Sequence, residues 1–278
     1  MSSIKSISGI SAAIRTTMSS LIQNQPLVET SKTKELSIKI ANTLQEREAV
    51  FHLGYQIYLE KGYIKPNLQE WLIQPYDADP QTVILIVQDK NKNIAGSVTL
   101  VFNESSRLPA EKIYDPEINA LKAKGEKLVE LSRLIISPNY RNSKEILLLL
   151  FNYLAIYVFH VKKYTSLIVE VSPRHKDYYK VLLNFDEIGC EKACPNVENA
   201  PAVLLQLPLN RFHSEVIRCK NQNISDKKER SLFTYFLNKD QENLVASYLE
   251  KQVSPMSNSE KQYFGLTRSN LELVISQK

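Results

Sequence analysis

A chain of 278 residues can bury a large core, so we expect one α/β domain with appendages. Its 43% hydrophobic and 23% charged residues are ordinary for a soluble protein. The formal charge of +5 is spread along the chain, without a basic cluster interleaved with aromatics, so nucleic-acid binding is not expected. Attraction to an acidic partner, such as anionic lipid or an acidic carrier protein, stays open.

Three cysteines are too few for a disulfide framework and indicate a reducing compartment, so we expect a cytoplasmic protein. Cys190 and Cys194 have a metal-like spacing, but no second pair accompanies them. A strand and its turn explain them better, and we predict no metal site.

Residues 1–34 are rich in Ser and Thr but carry an apolar stripe at helical spacing. This pattern predicts an amphipathic N-terminal extension that packs on the body. An interfacial or targeting helix is the alternative, but Gly9 and only two charges, Lys5 and Arg15, leave contact with a membrane without support.

The first part of the domain predicts a strand at 36–41, followed by a helix that starts at a capping box of Thr43 and Glu46 and runs to about Glu60. A second, short helix is expected at 66–72.

A hairpin of two strands, 82–88 and 94–102, comes next. The long connection 103–126 carries a predicted helix near 116–124, and connections of this length are often functional lids.

The pattern at 128–185 organises the rest of the chain. It reads as a strand at 128–136, a basic loop at 137–144, an apolar helix at 145–160 and a β-branched strand at 165–171. A helix between two strands implies parallel pairing, and a basic loop at a helix N-terminus is a natural anion site. The apolar helix is shorter than the ~20 residues of a membrane span, so we predict a buried core helix.

The strand at 128–136 carries the candidate catalytic residues. Glu130 is an unusual choice for a sheet interior; burial would raise its pKa and suit a general base acting through water, or it is a structural partner of a basic residue such as Arg174. Ser132 shares its face and either positions the amine or is a satisfied sheet hydroxyl. Arg133 has the opposite parity and reaches the same cavity only if the strand bulges or splays; a buried ion pair that braces the sheet is the alternative.

Two further strands are predicted at 187–192 and 202–207, after which the chain becomes polar and helical. Amphipathic helices are expected around 233–237 and 244–249, packed on the core or used for contacts. The predicted division is an extension at 1–34, a domain at 35–209 and a helical C-terminal appendage at 210–278.

This order predicts a mixed α/β sheet and excludes a TIM barrel or a Rossmann array, in which strands and helices alternate throughout. Neither a G-x-G-x-x-G nor a Walker motif is present.

Several segments carry a family resemblance when taken in order. They are G-S-V-T-L-V-F at 96–102, L-P at 108–109, E-K-I-Y at 111–114, E-I-N-A-L-K-A-K-G-E-K at 117–127, E-L-S-R-L at 130–134, P-R-H at 173–175 with Tyr178-Tyr179, and A-P-A-V-L-L at 200–205. Over roughly 36–209 the chain resembles the long-chain N-acyl amino acid synthases, relatives of the acyl-homoserine lactone (autoinducer) synthases in the GNAT superfamily.

The resemblance implies a GNAT-like N-acyltransferase fold and transfer of a fatty acyl group from acyl carrier protein to an amino acid α-amine. The fourth and fifth strands would splay to admit the thioester arm, whose phosphate Arg141 and Lys144 would hold. The loop at 141–146 lacks the glycines that wrap a CoA pyrophosphate, so a carrier-bound phosphopantetheine is the favoured donor and acyl-CoA the second choice. We expect no permanently bound cofactor.

The resemblance also implies a tyrosine that reprotonates the leaving thiol. Tyr179 is the candidate and Tyr178 the competitor, with a packed aromatic as the alternative for both. Arg174 and His175, at the end of a strand, are candidates for substrate or donor binding; a structural role for His175 is as well supported.

Three departures from the family pattern concern Gly54, where the family has an arginine, Asn184 in place of a glycine and Ser172 in place of an asparagine. Gly54 weakens the substrate assignment most; Lys61 and Lys65 are candidates to compensate, which their spacing alone does not establish. A CoA-dependent N-acetyltransferase and a catalytically inactive acyl- or lipid-binding protein therefore remain the alternatives.

Overall fold

The computed structural model describes residues 36–141, 143–221 and 231–267, so the extension predicted at 1–34 lies outside the described residues. The strands are β1 (Leu36–Ile40), β2 (Val83–Asp89), β3 (Ile94–Phe102), β4 (Leu128–Ile136), β5 (Ser166–Val171), β6 (Asp186–Cys194) and β7 (Ala200–Pro208). The helices are α1 (Leu44–Glu60), α2 (Glu111–Ala123), α3 (Lys144–Ile156), α4 (Pro173–Leu183), α5 (Leu209–Asn221), α6 (Lys239–Glu250) and α7 (Asn258–Tyr263).

The seven strands form one mixed sheet in the order β1-β2-β3-β4-β5-β7-β6. β4 and β5 are its parallel pair, joined by the crossover through α3, and the other neighbours are antiparallel. The mixed α/β sheet predicted from the sequence is confirmed.

α3 is the central core helix. By length and composition alone Lys144–Val161 is apolar enough to cross a membrane, but 67% of that stretch is buried inside the protein, as in the core helix of a soluble fold. Its last turn is a π-helical turn, Tyr157–Val161. Asn152, the polar residue in its middle, is buried, and its side-chain oxygen accepts a hydrogen bond of 3.0 Å from the Leu237 backbone N–H.

The capping box at Thr43 and Glu46 opens α1 as predicted. The helix predicted at 66–72 is wrong: the Asn67 side chain binds both the N–H and the C=O of Trp71 and closes a loop instead, and Glu70 there has a φ of +53°. A side chain that bonds its neighbouring backbone competes with a helix in this way.

Two other helix predictions need correction. The helix expected near 116–124 starts at Glu111 and bends at Tyr114, because Pro116 cannot continue a hydrogen-bond ladder toward its N-terminal side. The helix expected around 233–237 is a single 3₁₀ turn, Phe233–Tyr235, whose aromatic rings pack into the core.

The C-terminal part packs on both faces of the domain. α5 and α6 bury their apolar residues against the face that α3 covers. The chain then passes the edge of the sheet, where the Gln252 side chain accepts a hydrogen bond from the Ile40 N–H, and its residues around Phe264 pack against α1 on the opposite face. Packing on the core, one of the two alternatives from the sequence, is what the structure shows.

Candidate active site

The site lies where β4 and β5 separate. Their ladder has three residue pairs and ends at Glu130↔Ile168, although both strands continue beyond it. Backbone groups of β4 beyond that pair therefore have no ladder partner in β5. The splay expected from the resemblance is present.

A cleft of about 830 Å³ opens at this point. Its wall is mostly apolar, with aliphatic side chains from α1, β4, α3 and β5, and its polar groups are concentrated in two places. Clefts with an apolar wall and a few converging polar groups are typical of small-molecule sites. The larger aliphatic residues of the lining are Ile57, Leu72, Leu131, Leu134, Ile135, Ile136, Leu147, Val169, Val171 and Val197.

The first polar group in the cleft is the carboxyl of Glu130, which is 2% exposed. Its Oε2 accepts a hydrogen bond of 2.9 Å from the Ala110 N–H at the start of α2, and within the described ranges it makes no ion pair. Burial raises its pKa well above the ordinary value, the Ala110 hydrogen bond lowers it in part, and the carboxylates of Glu170 and Glu111 raise it further. The structural alternative, a pair with Arg174, is not formed, because Arg174 binds the Tyr63 hydroxyl instead.

Glu170, on β5, is a second carboxyl in the cleft. Burial raises its pKa, while the thiol of Cys194, which donates to it, and Lys112 lower it. Burial, and then Glu170, raise the pKa of Cys194 to about 12, so that thiol stays protonated.

Arg133 sits on a β-bulge. Ser97 pairs with Ile135 but Thr99 pairs with Ser132, so β4 has one extra residue opposite β3, and Arg133 has a φ of +48°. Such a backbone in a residue other than glycine costs about 1–3 kcal/mol and is concentrated at functional sites. The bulge brings Arg133 to the cleft lining beside Ser132, as the parity argument required.

The Arg133 guanidinium is held by a buried ion pair with Asp77, and it also donates to the Leu72 carbonyl and the Thr99 hydroxyl, each at 3.0 Å. Burial lowers its pKa, but Asp77 and Tyr76 raise it by more, so the guanidinium is charged. This is the buried ion pair that the sequence left as the alternative. It braces β4 against the segment at 72–77.

Two tyrosines sit beside the catalytic candidates on β4. The Ser132 hydroxyl and the Tyr76 hydroxyl are 3.0 Å apart and hydrogen-bonded. Tyr58, from α1, also lines the cleft, and burial raises its pKa to about 12 although Arg133 lowers it. Both hydroxyls are protonated donors at neutral pH.

Tyr179 and Tyr178 both line the cleft. Tyr179 is buried between Phe151 and Phe185, with edge-to-face contacts, and burial raises its pKa. Tyr178 is 38% exposed. Tyr179 remains the predicted proton donor to the leaving thiolate, because it is the more deeply buried of the two tyrosines.

The second polar region is a cationic mouth formed by Lys61, Arg141 and Arg174, which lies at the ends of α1, the loop before α3 and the start of α4. Arg141 binds Glu60 at 2.9 and 3.1 Å. Burial lowers the pKa of Lys61, and the charges of Arg174 and Arg141 lower it further.

A match to a family model identifies the family of this chain. The model of the N-acyl amino acid synthase FeeM matches residues 49–208, more than half of the chain. The chain belongs to the FeeM family. It is therefore an N-acyltransferase that transfers an acyl group to an amine.

The solved structure of FeeM supports this fold. FeeM, an N-acyl amino acid synthase from uncultured soil microbes, is similar with a TM-score of 0.58 and 22% identity, over 66% of this chain and 95% of that one. The acyl-homoserine lactone synthase LasI is similar with a TM-score of 0.49 and 19% identity, over 64% of this chain and 91% of that one. No curated protein matches the chain.

Gly54 is the first departure from the FeeM family pattern, and its surroundings show how much space a side chain would have there. A Cβ at Gly54 would lie 3.2 Å from Leu72 Cδ2 and from Ile135 Cδ1, so α1 approaches β4 closely here and the space of a larger side chain is taken by these two residues. Asn184, the second departure from the FeeM family pattern, ends α4 in the left-handed conformation (φ +60°), which asparagine tolerates nearly as well as glycine.

The cleft gathers all but one of the predicted site residues. Lys144 is exposed at the start of α3 and is not among the residues that line the cleft. Sequence reasoning missed Tyr58, Tyr76 and Glu170, which come from elements that only the fold brings to β4, and it named Lys61 only as compensation for Gly54. Glu170 carried a signal of the kind used for Glu130, a carboxylate within a β-branched strand.

Proposed function

We propose that the protein transfers a long-chain fatty acyl group from an acyl carrier protein thioester to the α-amine of an amino acid, or a similar small amine, in the cytoplasm. The observation that carries the proposal is a buried carboxyl without an ion-pair partner, Glu130, at the point where β4 and β5 separate inside an apolar cleft. The three free cysteines support a reducing compartment.

The amine must be neutral to attack the thioester carbonyl. Glu130 accepts a proton from the incoming ammonium through a water molecule, a task for which its raised pKa is suited because a base works best near the operating pH. Ser132 and Tyr76, hydrogen-bonded to each other, orient that water or the amine.

The tetrahedral intermediate carries negative charge on the former carbonyl oxygen. Backbone N–H groups of β4 beyond Glu130, free of β5, donate to that oxygen. When the intermediate collapses, the C–S bond breaks and the leaving thiolate takes a proton from Tyr179. The extra proton on the new amide nitrogen passes through water to the Tyr179 oxygen, and Glu130 releases the proton that it took from the ammonium to solvent.

The donor is recognised at both ends. The aliphatic wall accommodates a fatty chain, with about 0.8 kcal/mol gained for each CH₂ removed from water. The cationic mouth binds the single phosphate of phosphopantetheine and attracts an acidic carrier. The loop at 141–146 has no glycine for close wrapping of a pyrophosphate, which favours the carrier over CoA.

Mass spectrometry of lipid extracts from cells that overproduce the protein tests the reaction. We expect N-acyl amino acids that are absent from cells producing Glu130→Gln, and the masses give chain length and acceptor. Extracts identical to those of the variant, with soluble protein in both cultures, would contradict the proposal.

The donor is tested with purified protein, one amino acid mixture and equal concentrations of acyl-carrier protein and acyl-CoA of the same chain length. We expect kcat/KM to be higher with the carrier. A higher value with CoA would replace the donor assignment and leave the acyltransferase assignment standing.

A further inference from the structure

A cluster of side chains that can ligate a metal ion lies outside the cleft. His160, at the end of the π-helical turn, His213 on α5 and Glu242 on α6 bring their ligand atoms within 4.8 Å of one another. None of them lines the cleft. They are far apart in sequence, so no spacing motif announced them.

The geometry is close to that of a metal centre. His160 Nε2 lies 3.2 Å from Glu242 Oε2. Tetrahedral zinc, with bonds of ~2.0–2.1 Å, places neighbouring ligand atoms about 3.3 Å apart. One edge of the tetrahedron therefore exists, and the third ligand atom, on His213, lies within 4.8 Å of the other two.

The surroundings hold these side chains in place. The Phe159 ring stacks on His213 at 5.0 Å and meets His160 edge-to-face at 5.0 Å, so one aromatic residue orients both imidazoles. Glu242 is 7% exposed, a rare position for a carboxylate unless it is paired, and its partner among the described residues is His160. π-helical turns such as Tyr157–Val161 are frequent at functional sites.

We propose that His160, His213 and Glu242 bind a divalent transition metal, with Zn²⁺ the preferred ion. Two imidazoles and a carboxylate suit zinc and leave a fourth position for water. The site joins the end of the core helix to α5 and α6, so the metal fastens the C-terminal helices to the acyltransferase domain. It does not depend on the proposed substrates.

The competing explanation is an ion pair between protonated His160 and Glu242, with His213 a stacked neighbour. An ion pair needs no metal, so the two explanations differ in every metal-dependent measurement.

The test uses the full-length protein, stripped with EDTA, dialysed and titrated with Zn²⁺ by calorimetry, with metal content measured after gel filtration. We expect one bound Zn²⁺ per chain and a higher Tm with Zn²⁺. His213→Gln and Glu242→Gln should each weaken binding by at least ~10–100-fold, the usual loss even for residues that only support a metal ligand.

His52→Gln is the matched control, because His52 lies 3.9 Å from Glu70 in a solvent-exposed His–Glu pair elsewhere. It should bind Zn²⁺ as the parent does. The proposal is overturned if the parent protein retains no Zn²⁺, or if His52→Gln loses as much affinity as His213→Gln.

Adding Co²⁺ to the parent protein gives a test that does not depend on whether the variants fold. Intense visible absorption bands of four-coordinate Co²⁺ are expected, and a weak octahedral spectrum would contradict the site without reference to any variant.

Discussion

At the residue scale, the chemistry depends on how one carboxyl is kept free. Glu130 is buried with one backbone donor, whereas the only arginine on its strand is occupied by Asp77. Had Arg133 paired with Glu130, the pKa of that carboxyl would be lowered and it would be a poor base. The bulge that turns Arg133 toward Asp77 therefore separates the two charges.

The rate should depend on ionisation of Glu130. Because its pKa is raised, kcat/KM should rise with pH through a value well above 4.5, the ordinary value for Glu. Glu130→Gln should lower kcat by about 10²–10⁴-fold and remove this limb, leaving only the limb from the amine substrate. Steady-state kinetics from pH 5 to 9 measure it. An unchanged acid limb in the variant would assign it to another group.

The same substitution should change stability with the opposite sign to activity. A carboxyl whose pKa is raised by folding contributes stability below its unfolded-state pKa, and that contribution is lost as pH rises through the folded-state value. Glu130→Gln should therefore match the parent in acid and be more stable at neutral pH. Urea titrations at several pH values measure the difference, and a variant less stable at neutral pH would argue against a desolvated carboxyl.

At the element scale, strands and their periods were largely predictable, because a buried strand carries its own apolar pattern. The helix expected at 66–72 failed because the Asn67 side chain competes with the helical ladder, an outcome set by packing against α1. The sequence could say only that Arg133 would reach the cavity if β4 bulged. It could not predict the bulge, because the alternation of side chains in one strand gives no information about its register with the neighbouring strand. Glu130 was found from one strand, whereas Tyr58 and Tyr76 required the fold.

The ion pair of Asp77 and Arg133 should contribute to the free energy of unfolding by holding the segment at 72–77 against β4. Asp77→Asn leaves a buried guanidinium without its partner and should cost about 3–5 kcal/mol of unfolding free energy. Asp77→Asn with Arg133→Met removes both charges and should recover part of that loss. Chemical denaturation of both variants measures this, and equal losses in the single and double variants would show that no uncompensated charge was created.

The KM for the acyl donor should rise when a positive charge is removed from the cationic mouth and fall when a negative charge is removed. Arg141→Gln should raise the KM for the acyl donor, whereas Glu60→Gln, which frees Arg141 from its partner, should lower it. Both effects should shrink as salt is added, because the groups are exposed. Lys124→Gln, an exposed lysine at the end of α2 and outside the cleft lining, is the control. Shifts of equal size in Lys124→Gln would indicate a general charge effect.

At the scale of the whole molecule, the FeeM-family domain and the C-terminal part form one packed body. The family match ends at 208, yet residues beyond it cover both faces of the sheet and one of its edges. Arg47 on α1 is the main polar anchor of the last portion: it binds the Glu260 carboxylate and the Ser254 carbonyl while being 4% exposed.

Arg47→Met should release the last portion while the domain stays folded. Loss of a buried donor to two acceptors should cost about 1–3 kcal/mol. Limited proteolysis should then cut within 251–267 much faster than in the parent, with mass spectrometry locating the cuts. Lys251→Met, an exposed neighbour, is the control. Equal resistance of Arg47→Met and the parent would show that apolar packing alone holds the portion.

The contact of Trp71 with Phe264 and Tyr263, at 5.2 and 5.3 Å, has a consequence for biosynthesis. Trp71 precedes Leu72, which lines the cleft, so the outer support of the cleft wall comes from residues that a ribosome adds after the whole sheet. All seven strands have been made by Pro208. A nascent chain can thus complete its sheet before its cleft, and the enzyme acquires its final binding wall only after Tyr263 and Phe264 have been added.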